Sequence, residues 1–168
     1  MSIIIGIDPG SRVTGYGVVR LEQDFEFLEA GIIDLRKSGE LPQRLAQLTT
    51  ELSEVFEKWK PDSVSIEKVF LGKNPASAFT LGHARGICLA QAAAVGAEVA
   101  EYATRSAKKA VSGRGAATKE ELQKIIEMQF GRRFDQLDAT DALALALCHG
   151  RQILEGRVLN KLKGEINL

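Results

Sequence analysis

The chain has 168 residues, 45% of them hydrophobic, with 22 basic and 22 acidic side chains that cancel to a formal net charge of zero. That length fits one compact α/β domain with a core of its own. Two cysteines, Cys88 and Cys148, are too few for a disulfide framework, and no apolar run approaches the length of a bilayer span.

Residues 3–7, Ile3-Ile4-Ile5-Gly6-Ile7, are a β-branched run that predicts a buried strand, stopped by the turn signal Asp8-Pro9-Gly10. Residues 16–21 and 25–33 predict two more strands, with Gln23 and Asp24 at a tight reversal, so the first three strands form an antiparallel meander. Leu41, Leu45, Leu48, Leu52, Val55 and Trp59 recur every three or four residues and predict an amphipathic helix ending before Pro61. Residues 63–67 alternate and predict a fourth strand.

Residues 76–95 predict a helix rich in small residues, with Gly82, Gly86 and Ala90 four apart on one face, a stripe that permits close approach of another backbone in this fold or in a partner chain. Residues 98–102 predict the fifth strand, and 104–117 a short helix and a glycine-punctuated loop. Thr118-Lys119-Glu120-Glu121 has the form of a capping box and opens a helix to Phe130, closed by Gly131. Residues 137–153 predict a largely buried last helix, and the polar residues 156–168 a frayed, flexible tail after a domain of residues 1–155. Cys88 and Cys148 fall in apolar helices and read as small core residues, which suits a reducing compartment. The first residues lack a basic leader followed by an apolar stretch, so the expected location is the cytoplasm, away from membranes.

A meander followed by alternating helices and strands predicts a mixed five-stranded sheet with helices on both faces, the element order of the RNase H-like fold. In it Asp8 ends the first strand and Glu67 the fourth, so parallel pairing of these strands delivers both carboxylates to one sheet edge. Asp138 and Asp141, three apart at the start of the last helix, share a face. Each acid alone has an ordinary reading as a helix cap, a first-turn acid or a turn residue. Together they form a self-repelling cluster that divalent cations relieve. Oxygen-only ligands select Mg²⁺ or Mn²⁺, and two such ions can activate a water and stabilise the leaving oxygen of a phosphodiester. His83 and His149 read as helix residues rather than ligands.

The neutral total hides a pattern. Residues 1–67 carry 7 basic and 12 acidic side chains, residues 68–119 carry 8 and 2, and residues 120–168 carry 7 and 8. No acid lies between Arg105 and Lys119, so this stretch, with Lys108, Arg114 and Lys119, is expected to face phosphates.

Four blocks carry a resemblance: residues 5–10 with 12–18, residues 66–70 with 81–86, residues 113–119, and Asp138-Ala139-Thr140-Asp141-Ala142-Leu143-Ala144. In this order and spacing, from residue 3 to about 149, the chain resembles the RuvC family of Holliday-junction resolvases. The resemblance implies a homodimer that cuts four-way DNA junctions with Mg²⁺ and works with the RuvA–RuvB branch-migration complex. It assigns the four active-site acids to Asp8, Glu67, Asp138 and Asp141, an aromatic at the junction centre to Phe70, and basic groups near the scissile phosphate to Lys108 and Lys119. Many members are more basic overall than this neutral chain. The residues by themselves leave three rivals: an RNase H-like nuclease acting on hybrids or duplexes, a nucleotide-binding protein of the actin and sugar-kinase group, and a DNA-binding module without chemistry. The second needs a further domain to close over its nucleotide.

Overall fold

A computed structural model describes residues 1–68 and 75–166. The elements follow as β1 (Ser2–Asp8), β2 (Val13–Leu21), β3 (Phe25–Asp34), α1 (Leu41–Trp59), β4 (Ser63–Glu67), α2 (Pro75–Ala94), β5 (Glu98–Tyr102), α3 (Thr104–Ser112), α4 (Lys119–Phe130) and α5 (Leu137–Ile166). The sheet runs β3-β2-β1-β4-β5. The first three strands pair antiparallel as the meander, and β1–β4 and β4–β5 pair parallel. This is the mixed sheet of an RNase H-like α/β fold.

Helices cover both faces, and that explains why the run of residues 3–7 in β1 has no polar side in the sequence. Alternation along β1 sends Ile5 and Ile7 into a core with Leu48, Leu52 and Phe56 of α1 and Ala84, Cys88 and Ala92 of α2. Ile4, one step out of phase, packs in a second core with α3, α4 and α5. Helix α5 lies between the sheet and helices α3 and α4, and residues 142–149 are buried without a break, so its sequence is apolar on every side.

Local chemistry sets the boundaries. Helix α1 ends at Lys60, whose left-handed backbone (φ 46°) donates its N–H to the Phe56 carbonyl at 2.8 Å just ahead of Pro61. The capping box of α4 forms as the sequence predicts: Thr118 accepts from the Glu121 N–H, and the Glu121 carboxylate accepts from the Thr118 N–H.

One boundary differs from the sequence reading, and one open alternative is narrowed. Helix α5 does not stop at Ile153 but continues to Ile166. Gly156 weakens a helix interior by about 1 kcal/mol without breaking it, and the leucines and lysines after it are good helix formers. Of the two alternatives for the stripe of α2, packing on the protein's own sheet is not the one seen. A Cβ built on Gly82 or Gly86 meets nothing within 4 Å, and Ala90 is exposed beside them. Among the described residues, no helix is long and apolar enough to cross a membrane.

Candidate active site

Period-two alternation decides which β1 side chains face α5. They are Ile4, Gly6 and Asp8. Gly6 has no side chain for a reason of space: a Cβ there would sit 1.9 Å from the Ala142 carbonyl oxygen of α5. Gly15, the β2 partner of Asp8, would drive a Cβ to 2.1 Å from the Asp138 carbonyl. The two glycines let the α5 backbone rest on the sheet and bring Asp138 and Asp141 down to Asp8. From β4, Ser65 faces the same way and its hydroxyl donates to the Leu145 carbonyl at 2.8 Å. Glu67, two residues on, therefore emerges on that face, and the parallel register Ile7↔Ile66 sets it beside Asp8.

The four predicted carboxylates come together. One oxygen each from Asp8, Asp138 and Asp141 lies within 4.8 Å of the others. Glu67 joins them from β4, lining the same small pocket as Asp8 and Asp141, where its charge opposes ionisation of Asp8. Burial, followed by the charge and hydrogen bond of Glu67 and the charge of Asp141, pushes the Asp8 carboxyl up to about 8. Burial also raises Asp141, against the pull of Lys119 and Lys108. Such a site holds negative charge at a cost, and a hard cation relieves it. The donors are all carboxylate oxygens, with neither sulfur nor imidazole among them, and an ammonium already lies against two of the acids. The residues thus fit one or more divalent ions of the Mg²⁺ or Mn²⁺ type.

Lys119, the first residue of α4, places Nζ 2.5 Å from Asp141 Oδ2 and 3.7 Å from Asp138 Oδ1. Burial opposes its charge, but the hydrogen bond and charge of Asp141, with Asp8 and Asp138, raise its pKa on balance. Lys108 lines the same small pocket as Asp8, Glu67 and Asp141, and its Nζ donates to the Ala117 carbonyl at 2.9 Å. Arg114 stands further out, 71% exposed, with a long 3.4 Å contact to Glu121. Phe70 lies outside the described residues. His83 is exposed on α2, and buried His149 shares a 2.8 Å hydrogen bond with the Tyr102 hydroxyl.

Two supporting residues escaped the sequence reading. The Thr104 hydroxyl donates to Glu67 Oε1. Arg85, from α2, donates to the Glu67 backbone carbonyl at 3.3 Å and pairs with Glu101 of β5. Thr104 follows the end of β5, the strand next to β4, so the rule that sites gather at the carboxyl ends of parallel strands could have found it. Arg85 sits in one of the quoted blocks, but no pattern in the chain points it at Glu67.

The family model described as crossover junction endodeoxyribonuclease RuvC matches residues 4–149. A crossover junction endodeoxyribonuclease RuvC of Bdellovibrio bacteriovorus is 45% identical over 161 residues, 95% of this chain and 96% of its own. One from Tolumonas auensis is 49% identical over 152 residues, 89% of this chain and 87% of its own. Among solved structures, Thermus thermophilus RuvC in complex with Holliday junction substrate superposes with a TM-score of 0.85 at 27% identity, covering 93% of this chain and 97% of that one.

Proposed function

The chain belongs to the RuvC family of crossover junction endodeoxyribonucleases, and from that premise we propose that it resolves four-way DNA junctions by hydrolysing one phosphodiester on each of two opposing strands. The observation that carries the chemistry is the convergence of Asp8, Asp138 and Asp141 within 4.8 Å, with Glu67 in the same small pocket as Asp8 and Asp141. In this reading the four acids hold Mg²⁺, two ions per site, with Mn²⁺ as a substitute. Bound there, the ions supply an activated water and charge stabilisation for the leaving oxygen.

The remaining work falls to the chain's own groups. Arg85 and Thr104 hold Glu67 at backbone and side chain, which fixes the carboxylate orientation. Lys108, Lys119 and Arg114 bring positive charge to the phosphates around the acids and orient the strand. Phe70, three residues beyond Glu67, stacks on a base at the junction centre. Water attack with departure of the 3′ oxygen leaves 5′-phosphate and 3′-hydroxyl ends that a ligase can seal.

A junction with two-fold symmetry needs two cuts, and one chain carries one acid cluster. An isologous homodimer supplies the second site. The outward-facing stripe of Gly82, Gly86 and Ala90 supports α2 as part of that contact. The reading includes a cytoplasmic role in recombination and repair, with the RuvA–RuvB branch-migration complex as partner. Incubating the protein with labelled duplex, RNA–DNA hybrid and four-way junction, with and without Mg²⁺, tests it. Paired symmetric nicks in the junction alone, dependent on Mg²⁺, are expected. Equal cutting of duplex or hybrid, or cutting in EDTA, refutes it.

A further inference from the structure

Lys119 stands where helix chemistry does not want it. It is the first residue of α4, at the positive end of the helix dipole, where acids such as the following Glu120 and Glu121 are favoured and a cation is not. What offsets that placement is the carboxylate cluster. The Lys119 ammonium is 2.5 Å from Asp141 and 3.7 Å from Asp138, whose oxygens adjoin that of Asp8. Among the described residues, no other cation reaches ion-pair distance of Asp138 or Asp141. The Asp141 side chain is only 12% exposed, so its charge depends on a partner. Lys108, the other lysine of this pocket, is already committed to the Ala117 carbonyl.

An ammonium and a divalent cation compete for the same oxygens of Asp141 and Asp138. We propose that Lys119 is a built-in counter-ion of the metal-free protein, one that a divalent ion displaces on entering the cluster. The proposal rests on reading the cluster as a divalent-metal site. The capping box holds the α4 backbone by Thr118 and Glu121, so displacement needs only a rotation of the long lysine side chain about a fixed helix start. A displaced Lys119 is free to meet a phosphate. The lysine is thereby a positioning residue with two successive partners, carboxylates before the metal and nucleic acid after it.

The test follows the amine directly, without DNA or cleavage. Reductive methylation of the whole protein, read by mass spectrometry, reports how accessible each lysine amine is. Lys124, exposed on the same helix, serves as the internal standard. In EDTA, Lys119 is expected to be modified slowly. Saturating Mg²⁺, with saturation established by calorimetry, is expected to accelerate Lys119 by about five-fold relative to Lys124, the scale of one partly exposed ion pair. Asp141→Asn is expected to raise the Lys119 rate in EDTA to a similar degree. Lys119→Met is expected to bind Mg²⁺ about five-fold more tightly, since no ion pair has to break, whereas Lys119→Arg keeps the competitor and the weaker affinity. Mg²⁺ bound with Lys119 still protected overturns the counter-ion role while leaving the metal site standing. No Mg²⁺ or Mn²⁺ binding by calorimetry overturns the metal reading and this proposal with it.

Discussion

Gly6→Ala adds one methyl group at the place where β1 meets α5. Its Cβ would lie 1.9 Å from the Ala142 carbonyl oxygen and 2.7 Å from the Ala146 nitrogen, both backbone atoms of a helix that cannot rotate away as a side chain would. Restoring an ordinary contact near 3.4 Å requires α5 to lift from the sheet by about 1.5 Å. Overpacking of this kind costs about 1–3 kcal/mol, and a rigid backbone neighbour puts this site at the upper end. The same displacement carries Asp138 and Asp141 away from Asp8, and a misplacement of about 1 Å in a reacting constellation costs roughly 100-fold in rate. Urea unfolding measures the first effect and single-turnover cleavage of a four-way junction in saturating Mg²⁺ the second. The expected result is a lowered midpoint together with a rate loss near 100-fold. Gly6→Ala with the wild-type midpoint and rate refutes the account of how α5 is seated.

Asp8→Asn is expected to abolish cleavage and to change the pH profile of the metal-free protein. An acid raised from ~3.9 to about 8 on folding makes the native state bind more protons, so stability in EDTA falls as pH rises between those values; Asp8→Asn flattens that fall in urea titrations, and Mg²⁺ flattens it in the wild type. Glu67→Gln, Asp138→Asn and Asp141→Asn are likewise expected to stop cleavage while junction binding, read by gel shift, persists; a variant cutting at the wild-type rate removes that residue from the metal set. Thr104→Val takes a hydroxyl from the Glu67 carboxylate and is expected to slow cleavage about ten-fold, the worth of one charge-assisted hydrogen bond, with the melting temperature nearly unchanged. Burial lowers the pKa of His149 against the opposing charge of Glu98, so its contribution to stability is complete above ~6.5 and is lost as pH falls below that value; an NMR titration is expected to place its midpoint under ~6.5.

The layout of this fold was legible because its signals are local. A β-branched run marked β1, a tight reversal at Gln23 and Asp24 separated β2 from β3, three-to-four spacing marked α1, and the Thr118 box marked the start of α4. The convergence of acids was legible one step further on, since Asp8 and Glu67 end strands and Asp138 and Asp141 begin a helix. What the sequence withheld depends on contacts between distant segments. The link from Arg85 to Glu67 spans two elements, and nothing in a one-dimensional pattern aims a guanidinium at a backbone carbonyl. Lys119 reads in the chain as one charge of a basic stretch, and only the packing of α4 on α5 turns it toward Asp141. The far end of α5 was placed too early because polar composition resembles a tail, although its leucines, lysines and arginine favour helix against Gly156 and Gly164. Gly6 and Gly15 read as parts of a motif, and their spatial reason emerges only with α5 above them.

The seat of α5 on β1 joins residues that leave the ribosome far apart in time. At a synthesis rate of about 5–20 residues per second, roughly 7–27 s separate the making of Asp8 from that of Asp141. Once Glu67 has been made, the meander and β4 can present it beside Asp8, but two of the four carboxylates do not yet exist. Helices α3 and α4 also wait, because the core they share with the sheet is completed by Leu143, Leu145 and Leu147 of α5. A chain that ends before Asp138 therefore holds only two of the four acids that the proposed chemistry uses. On the proposed reading the acid cluster can close only once α5 has begun to form, so a chain arrested before that helix lacks the means to cut.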